Sequence, residues 1–156
     1  MGGGREPGRS VTGGDSEARV RASFAKQAFM ALLGATISRV APGEVDIELP
    51  WRADLVQQHG YVHAGVTSAI ADSACGYAAL SLMPPDAAVL SVEYKVNLLA
   101  PARGVRFQAR GRVVRSGRTV SVIQGDVLAF DEQGQAQQVL TMLGTMIAAV
   151  GRGITD

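Results

Sequence analysis

The chain has 156 residues, 47% of them apolar, which suits a single domain with a sizeable core. A formal net charge of +1 gives no electrostatic argument for nucleic acid or an anionic membrane as partner, and no apolar run reaches the length of a membrane span. The single cysteine excludes an internal disulfide framework, and the first residues lack the apolar centre of a secretory signal, so a cytoplasmic location is expected.

Residues 1–15 are rich in glycine and arginine with almost no apolar side chains, and are expected to form a flexible tail. Ser16 is a candidate helix N-cap, without the acidic partner of a capping box because Arg19 stands three residues on. Val20, Phe24, Phe29, Leu32 and Leu33 then recur at helical spacing and predict one amphipathic helix ending near Gly34. Thr36 to Val40 reads as a strand. Pro42-Gly43 is a turn signal, and Val45, Ile47 and Leu49 alternate with Glu44, Asp46 and Glu48, which predicts a hairpin. Trp51 to Val56 is a connection.

The stretch from Gln57 to Leu82 opens as a polar loop containing Gly60 and continues as an alanine-rich run with no proline until Pro84. Alanine and leucine favour helix, and the run is apolar nearly all round, so the helix should be buried on most sides. Asp72 interrupts it, and a carboxylate there is costly unless paired, hydrogen-bonded or functional. After the stop at Met83-Pro84-Pro85-Asp86, four strands are predicted. Ala88 to Leu99 places Leu90, Val92, Tyr94, Val96 and Leu98 on one face and Ser91, Glu93, Lys95 and Asn97 on the other. Val105 to Val114 and Thr119 to Phe130 form a hairpin about Ser116-Gly117. Gln138 to Val150 is last, followed by a frayed tail at 151–156. The domain therefore spans 16–150. Helix and strand runs segregate after the first hairpin, which argues an α+β fold with an antiparallel sheet curled around one apolar helix.

From Ala35 to Val150 the chain resembles the hotdog-fold thioesterases, specifically the PaaI-type acyl-CoA thioesterases of the 4-hydroxybenzoyl-CoA thioesterase-like superfamily. Gln57, His63-Ala64-Gly65 and Asp72 stand at the spacing of that family's central motif, and Ser91-Val92-Glu93 is similar to its hydroxyl-then-acid pair on the next strand. Arg115-Ser116-Gly117-Arg118 is similar to a turn that in the family lies near coenzyme A. Ala64 departs from the usual glycine, but alanine supplies a backbone N–H as well, provided its φ is negative.

The resemblance implies an enzyme, an acyl-CoA thioesterase: a hydrolase that turns an acyl-CoA and water into a carboxylic acid and free coenzyme A. Asp72 would serve as general base or as nucleophile; a structural acid satisfied by Ser68, one turn earlier, is the plain alternative. Ala64 and Gly65 start the helix, so their N–H groups lack intrahelical partners and form a ready oxyanion site. Gln57, with Gln58 as competitor, would orient water or the thioester carbonyl, and Ser91 would hydrogen-bond the water or the carboxylate. His63 is a loop-shaping residue beside the substrate. Arg115 and Arg118, with Ser116 and Gly117 in the turn between them, would meet coenzyme A phosphates, or form an ordinary solvated turn.

His59, His63 and Asp72 are poor metal ligands together, because Gly60 disfavours a helix between the histidines and no further histidine exists. A Ser-His-Asp hydrolase lacks its Gly-x-Ser-x-Gly elbow here. Cys75 reads as packing. Without a dinucleotide or Walker motif, no cofactor is expected beyond the coenzyme A carried by the substrate. The rival functions are a non-catalytic hotdog module that binds acyl-CoA or only dimerises, and a hotdog dehydratase, whose paired Asp and His spacing is absent. Asp72 lies eight positions after Ala64, about 12 Å along a helix, so the family's arrangement across a dimer implies a homodimer or a homotetramer.

Overall fold

The computed structural model describes residues 13–154 and Asp156. Most of the expected N-terminal tail, 1–12, lies outside the described residues. Gly13 already begins a helix, α1 (Gly13–Phe24), so Ser16 sits inside it and is buried rather than capping it. The single helix expected to reach Gly34 is in fact two. Gln27 takes an extended backbone (φ −77°, ψ 94°) and α2 (Ala28–Leu33) starts afresh after it. It closes with Gly34 in the left-handed region (φ 74°), where the N–H groups of Gly34 and Ala35 return to Ala31 and Met30 carbonyls in a Schellman pattern. The break re-phases the second helix. Met30 and Leu33 are buried with Val20, whereas Phe29 and Leu32, expected on the inner face, are 55% and 67% exposed.

The strands are β1 (Thr36–Ala41), β2 (Glu44–Pro50), β3 (Ala87–Leu98), β4 (Arg106–Ser116), β5 (Val120–Phe130) and β6 (Ala136–Val150). They form one six-stranded antiparallel sheet in the order β1-β2-β4-β5-β6-β3. The long helix α3 (Ala64–Leu80) lies in its concave face, between β2 and β3 in sequence. This is the hotdog arrangement. The alternation in β2 is realised, with Val45, Ile47 and Leu49 fully buried. Asp46 on the opposite face is also largely covered, and Arg112 pairs with it at 2.9 Å.

Glycines let the helix sit unusually close to the sheet. Gly111 and Gly125 face each other across β4 and β5. A Cβ on Gly111 would lie 2.3 Å from the backbone of Ala74, and one on Gly125 would lie 2.7 Å from Cys75 Sγ. Small residues on α3 and bare backbone on the strands therefore meet directly, which explains a helix with no polar face in its second half. Cys75 is packing, as its buried position shows, and burial pushes its thiol up to about 12.

β3 departs from simple alternation. Ser91 is opposite Met146, yet Glu93 is opposite Thr145, so one extra residue is accommodated as a bulge. The bulge switches the phase of the strand. Ser91 shares the helix-facing side with Tyr94, Val96 and Leu98, whose partners Gly144, Met142 and Leu140 line the buried face. Leu90 and Glu93 turn to the other side, where Glu93 accepts from Thr145 Oγ1. The expected grouping of Leu90 with Tyr94 and of Ser91 with Glu93 is corrected accordingly. β3 is an edge strand, and Leu90, Val92, Tyr94 and Leu98 are all exposed. At the other end of the chain, expected to fray, Asp156 is tied in by hydrogen bonds to Ser23 and Val89.

Candidate functional site

The loop before α3 is a small built structure. Val56 and Val62 form a bridge, Gln57 N–H donates to Tyr61 O at 2.8 Å, and Gly60 supplies the positive φ (83°) that the reversal needs. The Gln57 side-chain oxygen accepts from His59 N–H, so this amide is engaged within the loop. Val62 N–H donates to Ala102 O and His63 N–H to Leu55 O, which fixes the approach to the helix.

His63 is the N-cap of α3. Its backbone is extended (φ −61°, ψ 139°), and its ring Nδ1 accepts from Gly65 N–H at 2.9 Å. The expected oxyanion pair is therefore split. Gly65 N–H already has a partner, while Ala64 N–H has no acceptor among the described residues. No described non-glycine residue has positive φ, so Ala64 meets the backbone condition for replacing glycine. The helix dipole adds partial positive charge at this end. Gln57, His63, Ala64 and Thr67 line a groove of about 610 Å³ with Leu98 to Ala102 and Val139 as its other wall.

Asp72 stands two turns further along, on a different cavity. Ser91 Oγ donates to its Oδ1 at 2.7 Å, so the bulged strand and the helix deliver these two predicted residues to one another. Ser91, rather than Ser68, satisfies the carboxylate. Burial raises the Asp72 pKa above the ordinary carboxylate range, and the Ser91 hydrogen bond offsets part of that rise. The pocket here holds about 110 Å³ and is lined by Gln27, Ser73, Gly76, Tyr77, Val89 and Asp156 besides the Asp72–Ser91 pair. Within one chain the acid and the free N–H do not share a cavity.

Arg115, Ser116, Gly117 and Arg118 form the exposed tip of the β4–β5 hairpin. Gly117 N–H donates to Val120 O at 2.9 Å, and a Cβ there would come within 2.6 Å of the same oxygen, so the tight turn demands glycine. The tip lines neither cavity of the protomer. His59, His63 and Asp72 do not gather, and the described residues contain no group of three such side chains able to hold a metal ion. No described helix is long and apolar enough to cross a membrane.

Several lining residues escaped sequence reasoning. Tyr61 and Leu98 to Ala102 of the groove carry no motif, although the break at Pro101 to Gly104 marks the turn that brings them in. Gln27, Tyr77 and Asp156 reach the pocket from three distant parts of the chain.

Comparison with known proteins agrees with this fold. A family model described as the thioesterase superfamily matches residues 59–136, half of the chain, from the loop through α3 to the first residue of β6. A solved thioesterase family protein from Silicibacter pomeroyi is 48% identical, with a TM-score of 0.85 over 87% of this chain and 99% of that one. The E. coli PaaI protein, from the phenylacetic acid degradation operon, shares the fold at a TM-score of 0.79 and 20% identity, over 91% of this chain and 98% of its own. A Halobacterium salinarum protein bearing an esterase name is 28% identical over 89% of this chain and 90% of its own length. With the fold, the loop-to-helix motif and a close structural relative in agreement, the chain belongs to the thioesterase superfamily.

Proposed function

We propose that this protein hydrolyses acyl-CoA thioesters to a carboxylic acid and free coenzyme A, at a site completed by a second copy of the chain. The observation that carries the reading is the Asp72–Ser91 pair. One carboxylate oxygen is held by the serine at 2.7 Å, and burial raises the group's affinity for a proton, which makes it a stronger base than an ordinary carboxylate. In this reading the second oxygen of Asp72 takes a proton from water as the water attacks the thioester carbonyl. The Ala64 N–H of the second copy receives the oxyanion. Collapse of the intermediate expels the coenzyme A thiolate, which recovers the proton from Asp72.

Two features support a second copy. About 12 Å of helix separates Asp72 from Ala64, too far for both to serve one carbonyl. The edge strand β3 carries exposed apolar side chains on both faces, Leu90 at 46% and Leu98 at 59% among them, and an unpaired edge of this kind is a template for a symmetric partner. Arg19 and Asp156 already cover the edge at Ala87 and Val89, which leaves the strand from Ser91 onward for pairing in a dimer, or in a dimer of dimers. Arg115 and Arg118 at the hairpin tip have no ion-pair partner among the described residues, and their guanidinium groups suit the phosphates of coenzyme A.

The test is turnover. Purified protein is given a panel of aliphatic and aromatic acyl-CoAs, and the appearance of free coenzyme A is followed. Release above the spontaneous rate for any member is expected. Binding of the panel without release from any member would establish the non-catalytic module instead.

A further inference from the structure

The pocket beside Asp72 ends on a side chain from the far end of the sequence. Asp156 accepts from Ser23 Oγ of α1 at 3.0 Å and from the Val89 N–H of β3 at 2.7 Å. One carboxylate thus bridges two elements that the sheet itself does not connect. Tyr77 lies at the same end, its hydroxyl 3.4 Å from Ser23 Oγ and its ring edge-on to Phe24 with centroids 5.7 Å apart. The space between this end and Asp72 is small, about 110 Å³, against about 610 Å³ for the groove at the start of α3. An apolar chain that extended further would have to displace or desolvate a carboxylate that is already hydrogen-bonded.

We propose that Asp156 is a specificity-determining residue: it closes the deep end of the pocket beside Asp72 and restricts the acyl group to short chains. This rests on the acyl-CoA reading above. Removing the carboxylate takes this end wall away and lengthens the pocket, leaving Ser23 Oγ and the Val89 N–H to be met by water.

The experiment measures binding apart from chemistry. Non-hydrolysable thioether analogues of acyl-CoA, from acetyl to decanoyl, are titrated by calorimetry into the wild type, Asp156→Ala, Asp156→Asn and Asp156→Glu. The wild type is expected to lose at least about tenfold in affinity beyond the short members, since each methylene left unburied forgoes its transfer free energy. Asp156→Ala should recover at least about tenfold for the long members while acetyl binding stays within about twofold. Asp156→Asn keeps an acceptor for Val89 N–H and should retain the wild-type cutoff. Asp156→Glu intrudes further and should move the cutoff toward shorter chains. Identical length profiles for all four proteins would overturn the proposal, as would equal loss at every length in Asp156→Ala or no binding of any analogue by the wild type. A length cutoff that responds to Asp156 in a protein that releases no coenzyme A would sustain this inference while removing the hydrolase reading.

Discussion

The two halves of α3 do different work. From Ala74 to Leu80 every residue is buried, and the helix rests on strand backbone through Gly111 and Gly125. From Ala64 to Ser73 the burial is intermittent, and here stand the free N–H, the capping histidine's target and the half-buried acid. One half fixes where the helix lies, and the other presents the proposed catalytic groups from that fixed position. A carboxylate that is costly to bury is tolerated because it interrupts the half that carries less of the packing.

The contrast can be broken most severely at the helix start. Ala64 is the first residue of α3, a position where proline is well tolerated, and His63 already has the extended backbone that a following proline requires. Ala64→Pro should therefore fold normally yet lower kcat by about a hundredfold to a thousandfold, the usual loss of one oxyanion donor. Mixing it with an Asp72→Asn protein through co-expression should restore about a quarter of wild-type activity, because half of the dimers then hold one intact site. No recovery on mixing would place both groups in a single-chain site.

Asp72→Asn should lower kcat by at least about a hundredfold by removing the proposed base. The pKa of Asp72 is raised by burial, so wild-type kcat/KM should fall as pH drops through that raised value. Its effect on stability has the opposite sense. The ionised, partly desolvated carboxylate costs stability above its folded pKa, and the cost disappears once the group is protonated in folded and unfolded states alike. The variant's Tm should thus equal or exceed the wild type at neutral pH, with the difference shrinking as the solution is acidified. A folded Asp72→Asn protein with wild-type turnover would make the residue a structural acid.

The packing half responds in stability first. Gly111→Ala forces a Cβ against the Ala74 backbone, where no flexible side chain can yield, and should cost about 1–3 kcal/mol or more of unfolding free energy. Denaturant titration measures it, and an unchanged midpoint would show that α3 can lift from β4 freely. His63→Ala is the mildest change. It removes the acceptor for Gly65 N–H, and chemical denaturation should register a loss of about 1 kcal/mol, typical of an N-cap.

Local pattern revealed much of the frame. The alternation of β2 and the unbroken alanine-rich run were readable because each depends on neighbours in sequence. Asp72 stood out because it violates its own surroundings. The phase of β3 was not readable, since the bulge at Ser91 is set by pairing with β6 and by the reach to Asp72, and a period-two reading carries straight through it. The division between α1 and α2 lacks a glycine or proline at the break, so periodicity extended across Gln27 and assigned Phe29 and Leu32 to the wrong face. The motif placed Ala64 and Gly65 together, but only the fold discloses that His63 has claimed one of the two N–H groups. Asp156 had no local signal of any kind, because its partners lie 133 and 67 positions away.

The close seat of α3 on the sheet also makes Cys75 a built-in reporter. It is the sole thiol of the chain, fully buried, and its environment raises its pKa to about 12. Thiolate, the reactive form toward disulfide and maleimide dyes, is scarce at such a site. Native protein should therefore contribute almost no background when a thiol released from a thioester substrate is trapped by a chromogenic disulfide, with no need to mutate the cysteine away. Where labelling of Cys75 does occur, its rate follows the excursions that lift the helix from β4 and β5, so the same dye becomes a clock for opening of the core.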